Sequence, residues 1–440
     1  MRNALLGLHG TDIDLSGTAT PQRVTEVLLG HTDYRVIPRA VSLGTVEIHI
    51  ASHDGVKICE YTAFRSESYR GGVHRPSRVA FTRDIASDAV RRDLTVNALY
   101  ADCADGEIVD CVDGLSDLRG KLLRAAMPDP NDTFANDGLR ILRLIRFASE
   151  LDFDIEEKTL GAAVGNIGLL ADISGERIRD EFLKILLADA AYPELDLSPR
   201  RSAGKGLNLL IMTGAMRYCF PELLKGAGAA QRSDFHAYDV LRHNIEVCLA
   251  CPPDITLRLA GLAHDVGKPY SMERYGMNRC HADISEEIAV RRLGRSGLKM
   301  DNATVDNVAR LIRYHMLDKT EEISLIKLKR HMSEWGEVFT RQLMTLKEAD
   351  TVGGGLGGHW RGRDRWNACL ETMIADGSIN GLGCLAVNGD DVMAVTGLRG
   401  AAVGKALNEM FEYVLAYPER NTREYLLGRL EEMKNRTETK

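Results

Sequence analysis

The sequence predicts an α+β fold, with a small mixed α/β unit at the N-terminus and an all-α body behind it. Three observations carry this reading. Around residue 50, Val46, Ile48 and Ile50 alternate with Glu47 and His49, Ser52-His53-Asp54-Gly55 supplies an Asp-Gly turn, and Val56, Ile58 and Thr62 resume the alternation, which is the signature of a β-hairpin. From about residue 134 the period changes. GLRILRLIRFASEL (138–151) and ERIRDEFLKILL (176–187) repeat apolar residues at three- and four-residue spacing without a proline, and this pattern predicts helices. The third observation is length: 440 residues suit about two to four domains.

Most of the chain beyond residue 187 also reads as helical. Gly-rich segments at 203–206, 226–228 and 353–358 are the candidate linkers, and neither a solenoid repeat nor a low-complexity tract is visible. The composition is that of a globular chain, with 44% hydrophobic and 27% charged residues, which excludes wholesale disorder. A net charge of −7 is not the basic excess of a dedicated nucleic-acid binder. The charge is nonetheless uneven, because residues 61–92 hold seven arginines against three carboxylates. The sequence lacks an apolar run long enough for a membrane span and a signal-peptide pattern at Met1-Arg2-Asn3-Ala4, so a cytoplasmic protein is expected. Nine cysteines include a single Cys-x-x-Cys, Cys248/Cys251, inside an apolar helical run, where buried thiols are expected.

The segment TDIDLS (11–16) sets Asp12 and Asp14 two residues apart. On a strand both carboxylates leave one face, where they can hold hard divalent cations against a triphosphate. Two-metal phosphoryl transfer calls for a third acidic group from a neighbouring strand, and Glu60 on the second arm of the hairpin is the candidate. Beyond it stand FR (64–65), RRDLTVNAL (91–99) and DGLRILRLIRFA (137–148). Together, in this order, these motifs resemble the class II tRNA nucleotidyltransferases, the family of CCA-adding enzymes and bacterial poly(A) polymerases. The resemblance implies a polymerase-β-like nucleotidyltransferase head on an elongated all-α body. It also implies that Asp12 and Asp14 carry Mg²⁺, that Arg91, Arg92 and Asp93, with Asn97 in the same segment, contact nucleotide ribose and triphosphate, and that Asp137 and Arg140 read base edges.

The chemistry of that last pair can be stated independently. Three residues apart on a helix, a carboxylate acceptor and a guanidinium fork are neighbours that can hydrogen-bond the Watson–Crick edge of cytosine or adenine. Arg143, another turn along, is expected as a phosphate or structural contact. Two departures from the family pattern stand out. The family's glycine-glycine turn would precede Met1-Arg2-Asn3, so the head reads as N-terminally truncated. Where the family has Glu-Asp-Pro, this chain has Asn136-Asp137-Gly138, with one charge fewer and no rigid helix start.

Five of the twelve histidines fall between 236 and 315. HNIEVCLA (243–250), LRLAGLAHDVGKP (257–269), CHADISEEIA (280–289), RYHM (313–316) and LKEADTVG (346–353) resemble the HD metal-dependent phosphohydrolases. By position His243, His264, Asp265 and Asp350 match the primary ligand set, and His281 and His315 the additional pair of two-metal members. Imidazole beside carboxylate suits a borderline divalent metal, with Lys268 placed to steady a phosphate. His236 lies outside the motif and is expected to have no part in it, and His331 and His359 are expected to be surface residues. In the tail, NGDDVMAVTGLRGAAVGKAL (388–407) resembles the family's C-terminal segment, with Arg399 and Lys405 on a glycine-broken turn that feeds a helix N-terminus suited to an RNA phosphate.

The resemblance divides the chain into a head (1–125), a neck (126–202), linker helices (203–232), an HD domain (233–352) and a tRNA-binding tail (353–440). The function it implies is template-independent addition of CMP and AMP to tRNA from CTP and ATP, with phosphoester cleavage at the HD site. The alternatives are a poly(A) polymerase or partial CC- or A-adding enzyme, and an HD phosphohydrolase with an inactive RNA-binding head.

Overall fold

A computed structural model describes residues 1–10, 13–53, 55–68, 78–234, 236–319 and 322–438. Contacts divide the chain into two compact units. The first comprises Met1–Lys225, Pro253–Ile255 and Arg291–Asn302, and the second Gly226–Pro252, Thr256–Val290 and Ala303–Lys440. The main boundary falls at the predicted glycine segment 226–228.

The first unit opens on a four-stranded mixed sheet of order β1-β4-β3-β2, formed by Ile13–Gly17 (β1), Tyr34–Ala40 (β2), Thr45–Ser52 (β3) and Gly55–Ala63 (β4). The predicted hairpin is the antiparallel β3/β4 pair, and β1 joins it in parallel. One face buries Val46, Ile48, Tyr61 and Ala63 against Val24 and Leu28 of the helix Pro21–Leu28. That helix starts where Thr20 accepts the Arg23 N–H at 3.3 Å and Pro21 occupies the first turn, a placement in which proline loses no hydrogen bond. With the helix on one face, the residues that alternate with this core are left on the other face.

Behind the sheet the helix Leu139–Leu151 is buried at every position except Arg140 and Arg143. It packs against Gly175–Leu186 and Ala203–Met212. The glycine-rich segment 203–206, read from sequence as a linker, therefore lies inside a helix. Gly206 serves close approach, since a Cβ there would collide with Ser149 and Ile185. Gly138 has a similar cause, because a Cβ there would stand 2.8 Å from Leu169 Cβ.

The second unit is helical. Val240–Ala250, which Asp239 caps by accepting the Arg242 N–H at 2.8 Å, lies against the long helix Leu325–Gly353. Ile255–Ala263, Lys268–Tyr275, His281–Leu293 and Asn302–Tyr314 belong to the same group, with Ile255, the last residues of His281–Leu293 and the first of Asn302–Tyr314 counted in the other unit. The helices Gly389–Thr396, Ala401–Ala416 and Arg423–Glu438 form a separate core around Val392, Met410, Leu426 and Leu430. Cys248 and Cys251 are buried thiols, as expected.

The crossing of Val240–Ala250 and Leu325–Gly353 depends on Gly353, where a Cβ would stand 2.7 Å from the Val247 backbone nitrogen. Backbone cannot yield as a side chain can, so Gly353→Ala is expected to destabilise the second unit by about 1–3 kcal/mol. Thermal denaturation followed by circular dichroism would measure this, and an unchanged transition would refute the close-packing account.

Candidate functional site

In the first unit the β1/β4 register sets Asp14 level with Glu60, and the β3/β4 register sets Glu47 level with Glu60 on the other side. Neighbours in register share a face, so Asp14, Glu60 and Glu47 form a row on the face that the helix Pro21–Leu28 leaves uncovered. Asp14 and Glu60 are exposed. Asp12 lies outside the described residues. Glu47, which sequence reasoning did not single out, is bound by Arg39 at 2.6 Å and by His49. The Arg39 hydrogen bond is the main cause that lowers its carboxyl to about 2.

Beside the sheet the nucleotide-binding candidates form one hydrogen-bonded network. Its anchor is Asp88, 1% exposed, which pairs with Arg91 at 2.8 Å and Arg92 at 3.3 Å and accepts the Tyr100 hydroxyl at 2.8 Å. Burial works against the Asp88 charge, but Arg91, Tyr100 and Arg92 outweigh it and hold the carboxyl below its ordinary range. Asp93, also buried, accepts from Arg143 at 2.7 Å, from Asn97 at 3.1 Å and from the Leu94 N–H at 2.8 Å. Burial is again outweighed, chiefly by Arg143 and Asn97, so Asp93 stays ionised far into acid. Asn97 accepts from Arg2 at 2.6 Å, and the Arg2 guanidinium covers the Phe147 ring at 4.4 Å.

The two expected base-reading residues are not neighbours on one helix: Asp137 has extended backbone (φ −153°, ψ 107°) ahead of the helix Leu139–Leu151 that carries Arg140, and the two are held separately. Arg140 donates to the carbonyls of Arg91 at 2.6 Å and Thr133 at 3.2 Å. Asp137 accepts the Leu139 N–H at 3.1 Å and pairs with Arg177 at 3.0 Å. A cleft of about 390 Å³ lies among Ser66, Ser87, Val90, Arg91, Met127 and Asn136, so it touches both the Arg-Arg-Asp segment and the residue before Asp137.

In the second unit the six HD candidates converge. His243 Nε2 is 3.2 Å from His264 Nε2, 3.1 Å from Asp350 and 3.4 Å from Asp265, and His264 Nε2 is 3.3 Å from Asp265. On the other side of Asp265, His281 Nε2 stands 3.3 Å and His315 Nε2 3.7 Å from its second oxygen. Two triads thus share one carboxylate: His243, His264 and Asp265, and Asp265, His281 and His315. Each ring is oriented by a backbone carbonyl at Nδ1, from Gly353 for His243, Gly261 for His264, Asn278 for His281 and Ile312 for His315. With Nδ1–H donating there, the Nε2 lone pairs point inward.

Metal chemistry fits these residues. Asp265 Oδ1, His281 Nε2 and His315 Nε2 are buried without a hydrogen-bond partner, which is costly unless a cation binds them. Burial lowers the His264 pKa, but Asp265 and Asp350 outweigh burial and raise it to about 10, as expected of a pocket that attracts positive charge. Lys268 pairs with Asp265 at 2.5 Å and donates to Gln231 at 2.7 Å.

The outlying histidines behave differently from one another. His359 is exposed as expected, and His331 stacks on Trp335 at 5.0 Å. His236, assigned no part from sequence, packs edge-on against His243 with ring centroids 4.4 Å apart. In the tail Gly397 and Gly400 both have positive φ, 74° and 58°, and Arg399 and Lys405 are exposed on the turn and the helix that follows.

Comparison with known proteins places these features. Residues 1–124 match the poly A polymerase head domain, 152–197 the probable RNA and SrmB-binding site of polymerase A, and 244–353 the HD domain. A CCA-adding enzyme of Enterococcus faecalis is 35% identical over 240 residues, 54% of this chain and 53% of that protein. Another, of Lactobacillus johnsonii, is 30% identical over 306 residues, covering 61% of this chain and 74% of that protein. The chain belongs to the CCA-adding enzyme family. It spans about half the length of several relatives it matches. The fold of Bacillus stearothermophilus CCA-adding enzyme in complex with CTP matches over 100% of this chain and 92% of that one, at 24% identity and a TM-score of 0.66.

Within this family member, sequence reasoning missed Asp88, Arg177, Glu47 and His236. Asp88 was within reach of it, since its spacing to Arg91 and Arg92 is that of helical neighbours. The other three are brought in by tertiary contact or strand register.

Two predictions follow from these pairings. Asp93→Asn is expected to lower stability at neutral pH by about 2 kcal/mol, less than for a fully buried pair because Arg143 is 35% exposed. The folded pKa of Asp93 is depressed, so its contribution is complete above about pH 4 and is lost on further acidification. Urea denaturation of both proteins at several pH values should therefore show their difference shrinking in acid, and a pH-independent difference would contradict the assignment. His264→Ala should lose bound metal from the second unit, as read by elemental analysis of protein loaded with Mn²⁺, while an unaltered metal content would remove His264 from the ligand set.

Proposed function

We propose that the chain is a template-independent CCA tRNA nucleotidyltransferase that adds CMP and AMP to the 3′ end of tRNA from CTP and ATP, and that its HD site cleaves phosphoesters. The first part is carried by the register that sets Asp14 beside Glu60 on an uncovered sheet face, within a segment similar to the poly A polymerase head domain. Hard carboxylate oxygens fit Mg²⁺, and Asp12, Asp14 and Glu60 would hold it. Bound there, it supplies charge neutralisation for the pyrophosphate and favours the ionised 3′ hydroxyl. The 3′ oxygen forms a bond to the α-phosphorus as the bond to pyrophosphate breaks.

The protein's own groups position the reactants. Arg91 and Arg92, held by Asp88, would meet the triphosphate and ribose, while Asp93 and Asn97 keep Arg143 and Arg2 in place. Arg140 uses two of its five N–H groups on backbone carbonyls, leaving others for a base edge. Arg177 would fix the rotamer of Asp137, its partner in reading the base.

For the second site, His243, His264, Asp265 and Asp350 would hold one divalent metal, with His281 and His315 completing a second position across Asp265. The imidazole-rich donor set favours manganese, iron, cobalt or nickel. A metal there supplies a water of lowered pKa as nucleophile, and 2′,3′-cyclic or 3′-phosphate RNA ends are the proposed substrates. Head, neck, linker helices, HD domain and tail are proposed over 1–125, 126–202, 203–232, 233–352 and 353–440, with Arg399 and Lys405 on RNA phosphates in the tail. Among the described residues no helix is long and apolar enough to cross a membrane, and a cytoplasmic location follows from tRNA as substrate.

The deciding experiment incubates the purified chain and Mg²⁺ with tRNA ending at the discriminator base, with labelled CTP and ATP separately and together. Ordered addition of two C and one A is expected, and Asp14→Ala should abolish it by removing a group that the transition state requires. A run of A alone would indicate a poly(A) polymerase instead, and no incorporation would sink the transferase reading. His264→Ala should retain nucleotide addition while losing cleavage of a 2′,3′-cyclic nucleotide.

A further inference from the structure

His236 lies outside the HD signature and outside both ligand triads, yet the fold carries it into the site. The segment between Gly226 and Asp239 is fastened at several points. The Ala237 N–H donates to the Gly354 carbonyl at 2.9 Å, just beyond the helix that carries Asp350, and the His236 N–H donates to Arg232 at 3.0 Å. Gln231 accepts from Lys268 at 2.7 Å and donates to the Tyr238 carbonyl at 3.3 Å. These bonds hold the His236 ring edge-on to His243, at an interplanar angle of 71°.

In that position the Nδ1 atom of His236 is buried and without a hydrogen-bond partner. The four ligand imidazoles differ in this respect, since each gives its Nδ1 to a backbone carbonyl. An orphaned polar atom in a packed site costs stability, and a ligand that satisfies it removes the cost. His236 packs on His243, whose Nε2 lies 3.1 Å from Asp350 and 3.4 Å from Asp265, and Gln231 of the same segment holds Lys268, so His236 borders the space these groups surround. A bound tetrahedral anion brings acceptor oxygens into that space.

We propose that His236 is a phosphate-binding residue of the HD site, hydrogen-bonding a non-bridging oxygen of the phosphoester from the His243 side while Lys268 stands at Asp265. The inference rests on reading that site as a metal-dependent phosphohydrolase centre and names the contact that reading leaves unassigned.

The test uses the full chain loaded with Mn²⁺ and compares wild type with His236→Phe, which keeps a ring packed on His243 but removes both nitrogens, and with His236→Gln, which restores an N–H. Metal content is read by elemental analysis and inorganic phosphate affinity by calorimetry. Phosphate binding should weaken by about tenfold or more in His236→Phe, the value of one hydrogen bond to a charged group, with metal content unchanged and partial recovery in His236→Gln. Equal phosphate affinity in wild type and His236→Phe would overturn the proposal, as would loss of metal in His236→Phe or a wild type that does not bind phosphate. Hydrolysis of bis(p-nitrophenyl) phosphate by the wild type tests the phosphohydrolase reading separately: without hydrolysis that reading fails, while a His236-dependent phosphate affinity would still support the contact.

Discussion

A carboxylate taken out of water must be compensated, and the functional regions of this protein are arranged around that constraint. Asp88 and Asp93 are the instances in the first unit. Neither can stay charged in the interior without partners, and each recruits the arginines that the chain offers nearby. Asp88 gathers Arg91 and Arg92, and Asp93 gathers Arg143 and the amide of Asn97. The guanidinium groups are therefore held in place by folding itself, and the entropy of ordering these long side chains is spent there.

Asp265 meets the same constraint differently. It is buried among four imidazoles and one ammonium, and its two oxygens face different triads. Lys268 neutralises part of the charge, yet Asp265 Oδ1 and the Nε2 atoms of His281 and His315 keep no hydrogen-bond partner. Backbone carbonyls behind each ring prevent the imidazoles from turning away. Such a donor set fits a cation. In the first unit protein arginines perform the compensation, and in the second the proposed metal would.

Much of the first unit was legible because local rules and global fold agree there. The alternation on either side of the Asp-Gly dipeptide became β3 and β4, and the proline-free periodic stretch became the helix Leu139–Leu151. That helix leaves only Arg140 and Arg143 incompletely buried, the arginines that the motif had marked. Reading failed where glycine has two meanings. Segment 203–206 looked like a break but sits within a helix, because glycine permits close packing as well as flexibility, and a one-dimensional string does not show what lies 3 Å away.

The sequence by itself determined the order of elements and the types of the candidate metal ligands. Short-range periodicity and residue chemistry suffice for these. Tertiary structure alone decided that Asp14 stands level with Glu60 and Glu47, that Arg177 and not Arg140 pairs with Asp137, that Asp265 is shared by two triads, and that His236 reaches His243. Each of these joins different elements or flanking segments, and such relations are set by strand register and by which backbones can approach, quantities that no local pattern of residues encodes.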